Sequence, residues 1–317
     1  MVVERLERAL SKRSPLIEKL KTQQTDCYRF FDGSGDGMAG FVIEVFSKIA
    51  FFQFHRGKCE LGVAEMKIAA RWCIDHLGVE SVYLKTFLPD RSAEQTAQEM
   101  LSPEPFSGVA SASSIEAKEN GNTFLIRPYA GASVGLFLDQ RDNRKRLAQA
   151  VAKQSRVLNL FSYTCGFSVY AARAGAVVTS VDVSAKYLEW AKENFAANGL
   201  LASDHRFFVA DARFFLRAAV KRHEQYDLII LDPPSFARGK NNEPFSVKRD
   251  LGSVLDQCIQ VLAPGGSLFV STNLSVWGGD ELEAVIEKSL GPVRYKDLPD
   301  EPKDFKTQSI TYRWLER

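Results

Sequence analysis

The stretch from Arg156 to Asp182, RVLNLFSYTCGFSVYAARAGAVVTSVD, constrains this chain more than any other. Val157 to Leu160 is a short apolar run of strand type. Phe161 to Phe167 is a turn of small and hydroxyl-bearing residues. Ser168 to Ala174 suits a helix, and Ala176 to Val181 is a β-branched strand that ends on Asp182. Strand, tight loop, helix, strand, carboxylate is the nucleotide-binding half of a doubly wound sheet. The loop sets backbone N–H groups at a helix N-terminus, and the carboxylate stands where a ribose diol would lie.

The remainder of the C-terminal part repeats that alternation. Leu136 to Asp142 leads into a helix over Asn143 to Ala152. Ser184 opens a helix that closes at Asn198-Gly199, a favourable C-cap. Phe207 to Val209 is a strand followed by Asp211, and Ala212 to His223 is a helix. Tyr226 to Leu231 is almost wholly apolar, as a strand covered on both faces should be, and it stops at Asp232-Pro233-Pro234. A helix over Val247 to Leu262, a turn at Pro264-Gly265-Gly266 and a strand over Ser267 to Thr272 follow. A helix over Leu282 to Ser289 precedes a closing hairpin of Val293 to Leu298 and Ser309 to Leu315. Seven strands in that order predict a Rossmann-like sheet over residues 128–317.

The first 127 residues read differently. Residues 1–24 carry an apolar stripe of Leu6, Leu10, Ile17 and Leu20, interrupted at Pro15; the surplus of basic residues there also suits an RNA-contacting arm. Strands are expected at Tyr28 to Phe31, Phe41 to Phe46, Ile49 to Phe54 and Val82 to Thr86, with a helix over Gly62 to Leu77. Arg91 to Gly108 reads as loop. Glu119-Asn120-Gly121-Asn122 turns a hairpin between Ser114 to Lys118 and Thr123 to Arg127. This is a small α+β domain without evident chemistry of its own.

Composition narrows the function classes. A net charge of +2 leaves any nucleic-acid contact to local patches. Five scattered cysteines (Cys27, Cys59, Cys73, Cys165 and Cys258) with no C-x-x-C, and four histidines without ligand spacing, predict reduced thiols and no metal. No apolar run is long enough for a membrane span, and the charged N-terminus is not a signal peptide, so a cytoplasmic protein is expected.

Four carboxylates, Asp139, Asp182, Asp211 and Asp232, fall at strand ends or ahead of the first helix. That edge of an open α/β sheet is where ligands bind; each aspartate alone would also suit a helix N-cap. Asp182 can accept two ribose hydroxyls and Asp211 an adenine amino group. No G-x-G-x-x-G precedes Asp182. The loop has Gly166 alone among Ser162, Tyr163 and Thr164, which suits a nucleoside with an amino-acid tail better than a dinucleotide. S-adenosylmethionine answers that description. In Asp232-Pro233-Pro234-Ser235-Phe236 the prolines fix the backbone. Asp232 can then meet the methionine ammonium or a base, a carbonyl near Pro233 can accept from a nucleobase edge, and Phe236 can stack on it.

Leu138-Asp139-Gln140-Arg141-Asp142-Asn143-Arg144, Asn159-Leu160-Phe161-Ser162-Tyr163-Thr164, Tyr187-Leu188-Glu189-Trp190-Ala191, and Tyr226 to Ile229 running into Asp232 to Phe236 resemble the class I S-adenosylmethionine-dependent methyltransferases of 23S ribosomal RNA. The resemblance covers residues 110–317 well and 28–90 more loosely. Two branches come close, the cytosine-C5 enzymes with an N-terminal PUA domain and the guanine-N7 half of a fused enzyme. The resemblance implies S-adenosylmethionine as cofactor and an RNA substrate. It extends the candidate cofactor contacts to Gln140, Arg141, Phe161, Ser162, Tyr163, Thr164, Gly166, Asp182, Val183, Asp211, Ala212 and Asp232. Asp232, Pro233, Pro234 and Phe236 become the candidate catalytic group.

The sequence departs from the cytosine-C5 branch twice. Too few residues precede Tyr28 for a PUA module. The cysteine nucleophile that C5 methylation requires is absent from Phe269-Val270-Ser271-Thr272-Asn273, position 235 is serine, and Cys165 lies on the cofactor side. Methylation at nitrogen, with guanine favoured, is therefore expected. Arg238 and Lys240 beside the DPPSF segment, and Arg213 and Arg217 with Lys221 and Arg222 on one helix, are candidate RNA contacts; Arg141, Arg144, Lys145 and Arg146 form a second basic group. A small-molecule or protein substrate, or a non-catalytic RNA-binding assembly factor on the same fold, are the competing readings. The sequence leaves the oligomeric state open.

Overall fold

In the computed structural model the described residues are 1–88, 100–237, 244–274, 276–296, 302–307 and 310–316. They form two compact units. One comprises residues 1–141 with 302–307, the other 142–301 with 308–317. The division thus falls at 141/142 where the change of pattern suggested 127/128, and the first unit also takes a segment from far along the chain.

The first unit is built on a five-stranded sheet. Strands β1 (Cys27–Asp32), β2 (Phe41–Phe46) and β3 (Ile49–His55) form an antiparallel meander; β4 (Ser81–Phe87) pairs parallel to β3, and β5 (Ser107–Gly108) pairs antiparallel to β4. Helices α1 (Val2–Thr22) and α2 (Val63–Leu77) pack with it around an aromatic core in which Phe30 stacks on Trp72 and Phe41 meets Phe52 edge-on. The hairpin β6 (Ile115–Glu119) and β7 (Asn122–Ile126) turns at Asn120 and Gly121, both left-handed as a two-residue loop requires.

Helix α1 runs through Pro15 without a break, against the expected interruption. Val2, Leu6, Ala9, Arg13, Ile17 and Leu20 are all buried along one face, so packing continues across the proline and outweighs the missing N–H. One face of the helix is thus part of this unit's core. Arg13 is paired bidentately with Asp36, and the backbone oxygen of Asp304 accepts from the same guanidinium. Lys85 is also buried. Its ammonium donates to the carbonyls of Met100, Pro128 and Gly131 at 3.0, 2.5 and 2.8 Å.

The second unit holds a seven-stranded sheet. Its members are β8 (Arg156–Leu160), β9 (Val177–Asp182), β10 (Arg206–Val209), β11 (Tyr226–Leu231), β14 (Leu262–Thr272), β15 (Arg294–Tyr295) and β16 (Thr311–Glu316); β12 (Phe236–Ala237) and β13 (Phe245–Ser246) form a separate small hairpin. The order across the sheet is β10-β9-β8-β11-β14-β16-β15. The first five strands are parallel and β16 runs antiparallel between its neighbours. This is the Rossmann-like arrangement expected. Helices α3 (Arg141–Ala150), α4 (Gly166–Arg173), α5 (Ala185–Ala197), α6 (Ala212–Lys221), α7 (Val247–Gln260) and α8 (Gly279–Leu290) alternate with the strands. Leu158, Leu160, Ile229, Leu231, Leu268 and Val270 of the sheet pack against Leu216, Leu251, Leu255 and Leu282 of the helices. Pro264-Gly265-Gly266 lies within β14 as an irregularity: Leu262 faces Tyr226, and the next pair is Ser267 with Leu228. No described helix is long and apolar enough to cross a membrane.

Candidate functional site

Parallel pairing places the C-terminal ends of five strands on one edge. Leu160 pairs with Val181, Asp182 with Val209, and Leu231 with both Leu160 and Val270. The chain continues from these ends into Phe161, Val183, Asp211, Asp232 and Asn273. Strand order reverses between β8 and β11, so the loop after β8 and the turn after β11 flank the switch point, where a ligand crevice opens in such sheets.

The loop after β8 holds its shape without glycine. Phe161, Tyr163 and Cys165 all have left-handed backbone, with φ of 56°, 50° and 64°. Each such residue costs about 1–2 kcal/mol, so neighbours must fix it. Phe161 packs on Phe245, ring centroids 4.9 Å apart; Tyr163 packs edge-on against Tyr187 at 4.6 Å and near Trp190. Cys165 is fully buried among the hydroxyls of Ser180, Ser162 and Ser168, and burial pushes its thiol up to about 11. The amide of Asn194 donates to the Thr164 carbonyl at 3.0 Å. The conformation that glycine would supply is here supplied by side-chain packing, and helix α4 begins directly after it at Gly166.

Asp182 closes β9 half-buried. One carboxylate oxygen accepts from the Tyr163 backbone N–H and the other from that of Ser184, both at 2.9 Å. Burial raises its pKa above the ordinary 3.8, and the N–H bonds only partly offset this. The carboxylate is therefore rigidly aimed and still has acceptor capacity on each oxygen. Val183, next in the chain, is 36% exposed, and Ala212 across the edge is buried.

Asp211 is arranged otherwise than expected. It caps α6 through the Arg213 backbone N–H at 2.8 Å and grips the Arg213 guanidinium at 3.0 and 2.7 Å. Burial pushes its carboxyl up, but the Arg213 bonds outweigh that and hold it below 3.8. Most of its acceptor capacity is thus engaged inside the protein. The same pairing engages the Arg213 guanidinium, expected as an RNA contact, inside the protein; Arg217 alone of the pair is exposed, lying over the Phe214 ring at 4.3 Å. Arg222 pairs with Glu224. Arg141 and Arg144 are likewise buried, and Arg141 is bidentate on Asp304 within the first unit at 3.1 and 2.6 Å. Neither offers a solvated phosphate contact. Gln140 is buried in the short turn before α3. Arg238 and Lys240 lie outside the described residues.

The turn after β11 is tied to β14 at both ends. Ser271, fully buried, donates its hydroxyl to Asp232 at 2.5 Å. Asn273 accepts from the Ser235 backbone N–H at 3.0 Å and from its hydroxyl at 2.8 Å. Pro233 is buried, Pro234 exposed, and Phe236 is 60% exposed at the start of the β12–β13 hairpin. The residues that sequence reasoning missed are Ser271, Asn273 and Phe245. In the sequence Ser271 and Asn273 stand out only as positions lacking cysteine. Reading the end of the fifth strand by the rule applied to the aspartates would have found them.

Along one edge the sheet therefore presents an aimed acceptor, a loop at a helix N-terminus and a rigid proline turn beside an exposed aromatic. An acceptor-only carboxylate suits a vicinal diol, and the donor set suits a nucleoside bearing a charged tail. The residues present fit S-adenosylmethionine.

Comparison with known proteins agrees. A family model described as S-adenosylmethionine-dependent methyltransferase matches residues 64–308. The Bacillus subtilis (strain 168) protein YwbD is 34% identical over 311 residues, covering 96% of this chain and 76% of its own. A Deinococcus radiodurans protein named ribosomal RNA large subunit methyltransferase is 33% identical over 294 residues, 89% of this chain and 68% of its own. The crystal structure of SMU.776 complexed with SAH superposes with a TM-score of 0.86 at 28% identity, covering all of this chain (100%) and 81% of that one.

Proposed function

This chain belongs to the S-adenosylmethionine-dependent methyltransferases, and from that premise we propose that it methylates a nitrogen of a base in large-subunit ribosomal RNA, with guanine favoured. Its cofactor is S-adenosylmethionine. The RNA reading draws on the name carried by the Deinococcus relative. One observation carries it to the site: the Asp232–Ser235 turn is locked to β14 at both ends and delivers the exposed ring of Phe236. A rigid set of acceptors beside a free aromatic face suits an unstacked base.

In this reading Asp182 holds the ribose diol, Val183 and Ala212 flank the adenine, and the Phe161–Thr164 loop with Gly166 receives the amino-acid tail. When bound, the cofactor would supply an electrophilic methyl carbon for a nitrogen lone pair to attack, with S-adenosylhomocysteine as the leaving group. Asp232, fixed by Ser271, faces the tail ammonium or an N–H of the base. The carbonyl of Pro233 accepts from the base edge, and Phe236 stacks on its face. A guanine N7 lone pair needs no general base, so positioning and a preorganised electrostatic field provide the rate.

Nitrogen is favoured over carbon because methylation at pyrimidine C5 needs a thiolate nucleophile. All five cysteines are buried, and Cys165, the one at this edge, is held protonated by burial. The test compares ribosomal RNA from strains with and without the gene by nucleoside mass spectrometry, then locates the mark by primer extension. A methylguanosine lost with the gene is the expected result; a lost 5-methylcytidine, or no change in RNA, would overturn the reading.

A further inference from the structure

Asn273 is exposed just past the end of β14, beside the Asp232–Ser235 turn. The atom facing the Ser235 backbone N–H must be an oxygen, because a backbone N–H can only donate. This fixes the amide: Oδ1 is committed to Ser235, and Nδ2 points elsewhere. Among the described residues Nδ2 has no partner, so the turn carries a solvated, oriented pair of donors at its edge.

The rest of the turn offers acceptors, the Asp232 carboxylate and the Pro233 carbonyl. The ring of Phe236 can stack on any base and so cannot choose between them. Discrimination falls to the edge contacts. Two acceptors and one donor complement a base edge that shows two donors and one acceptor. Guanine shows N1–H, N2–H₂ and O6 in that sense. Adenine puts an amino group where guanine has O6, and against Nδ2 it would leave two donors face to face.

We infer that Asn273 is a specificity-determining residue, its Nδ2 donating to the O6 carbonyl of the target guanine. The inference rests on the ribosomal RNA reading above and adds to it the group that selects the base. O6 lies between the Watson–Crick and Hoogsteen edges, so the contact leaves N7 open to methyl transfer.

A chemical double-mutant cycle on RNA binding, without cofactor, tests it. Wild-type protein and Asn273→Asp are titrated with a large-subunit rRNA transcript fragment carrying, at the mapped position, either guanine or 2-aminopurine, which lacks O6 and with it the N1 hydrogen. Asn273→Asp keeps an oxygen for Ser235 and removes the donor. Asn273→Asp should bind the guanine RNA about ten-fold more weakly, and its loss on 2-aminopurine should be about ten-fold smaller than that of the wild type, which loses the O6 contact as well as the N1–H one. Equal S-adenosylmethionine affinity in both proteins, by calorimetry, reports that the variant is folded. Wild-type affinity of Asn273→Asp for the guanine RNA, or losses that simply add, would overturn the inference while leaving the methylation reading intact. A mark mapped to a nitrogen of another base would remove the inference alone; a mark on a pyrimidine carbon, or no mark on RNA, would remove both.

Discussion

Ser271 donates its hydroxyl to the Asp232 carboxylate across 2.5 Å, joining the end of β14 to the first residue of the proline turn. The donor is fully buried and the acceptor half-buried, so water competes poorly for this bond. Ser271→Ala removes it with little change of volume. A hydrogen bond to a charged group contributes about 1.5–3 kcal/mol, so single-turnover methyl transfer should slow by about 10- to 100-fold. Calorimetric affinity for S-adenosylmethionine should change far less. Comparable losses in both would mean that Asp232 serves the cofactor, not the acceptor base.

Asp182→Ala should weaken S-adenosylmethionine binding by about 10- to 100-fold, from the loss of bonds to a charged acceptor. The pH dependence has a definite sign. Burial raises the Asp182 pKa, so the carboxyl protonates at a higher pH than an ordinary aspartate, and its acceptor capacity is lost as pH falls through that raised value. Cofactor affinity of the wild type should therefore decline on acidification before the usual aspartate range is reached. Asp182→Ala should lack that decline.

Cys165→Ser should retain methyl transfer within about two-fold, because a thiol held near 11 is protonated at neutral pH and is neither a base nor a nucleophile. Iodoacetamide should leave the native wild-type enzyme active for the same reason. Complete inactivation by either change would give the thiol a chemical role.

Lys85 tests the first unit. Burial lowers its ammonium to about 8 from the ordinary 10.5. Between those values the unfolded chain binds more protons than the folded one, so this residue's contribution to stability rises as pH rises. Lys85→Met lacks that contribution and leaves three carbonyls without their donor. It should melt lower than wild type at neutral pH, and its deficit should widen by about 2–3 kcal/mol towards pH ~10. A deficit that is flat in pH would place the Lys85 pKa near its ordinary value.

The parallel sheet was legible because each of its strands is an apolar run ended by a carboxylate, a proline or a turn. Tyr226 to Leu231 and Phe41 to Phe46 were located to the residue. Pro15 misled because a local rule about one N–H competes with six buried contacts along α1. The glycine-poor loop was read correctly as unlike a dinucleotide loop, yet its left-handed residues depend on Phe245, Tyr187 and Trp190, all distant in sequence. Charge was the least legible feature. Arg13 and Arg141 look solvated in the sequence, and each is buried against a carboxylate or a carbonyl that only the fold brings near. Asp304 is the clearest case, because its partners Arg13, Arg29 and Arg141 are reached by a segment that returns to the first unit from the far end of the chain.

The central claim is tested most directly by incubating the purified protein with methyl-labelled S-adenosylmethionine and large-subunit ribosomal RNA from cells lacking it, then digesting the RNA to nucleosides. Label in a single methylguanosine, absent when Asp232→Ala replaces the wild type, is the predicted result. Label confined to a protein or small-molecule fraction, or carried on a pyrimidine carbon, would contradict it.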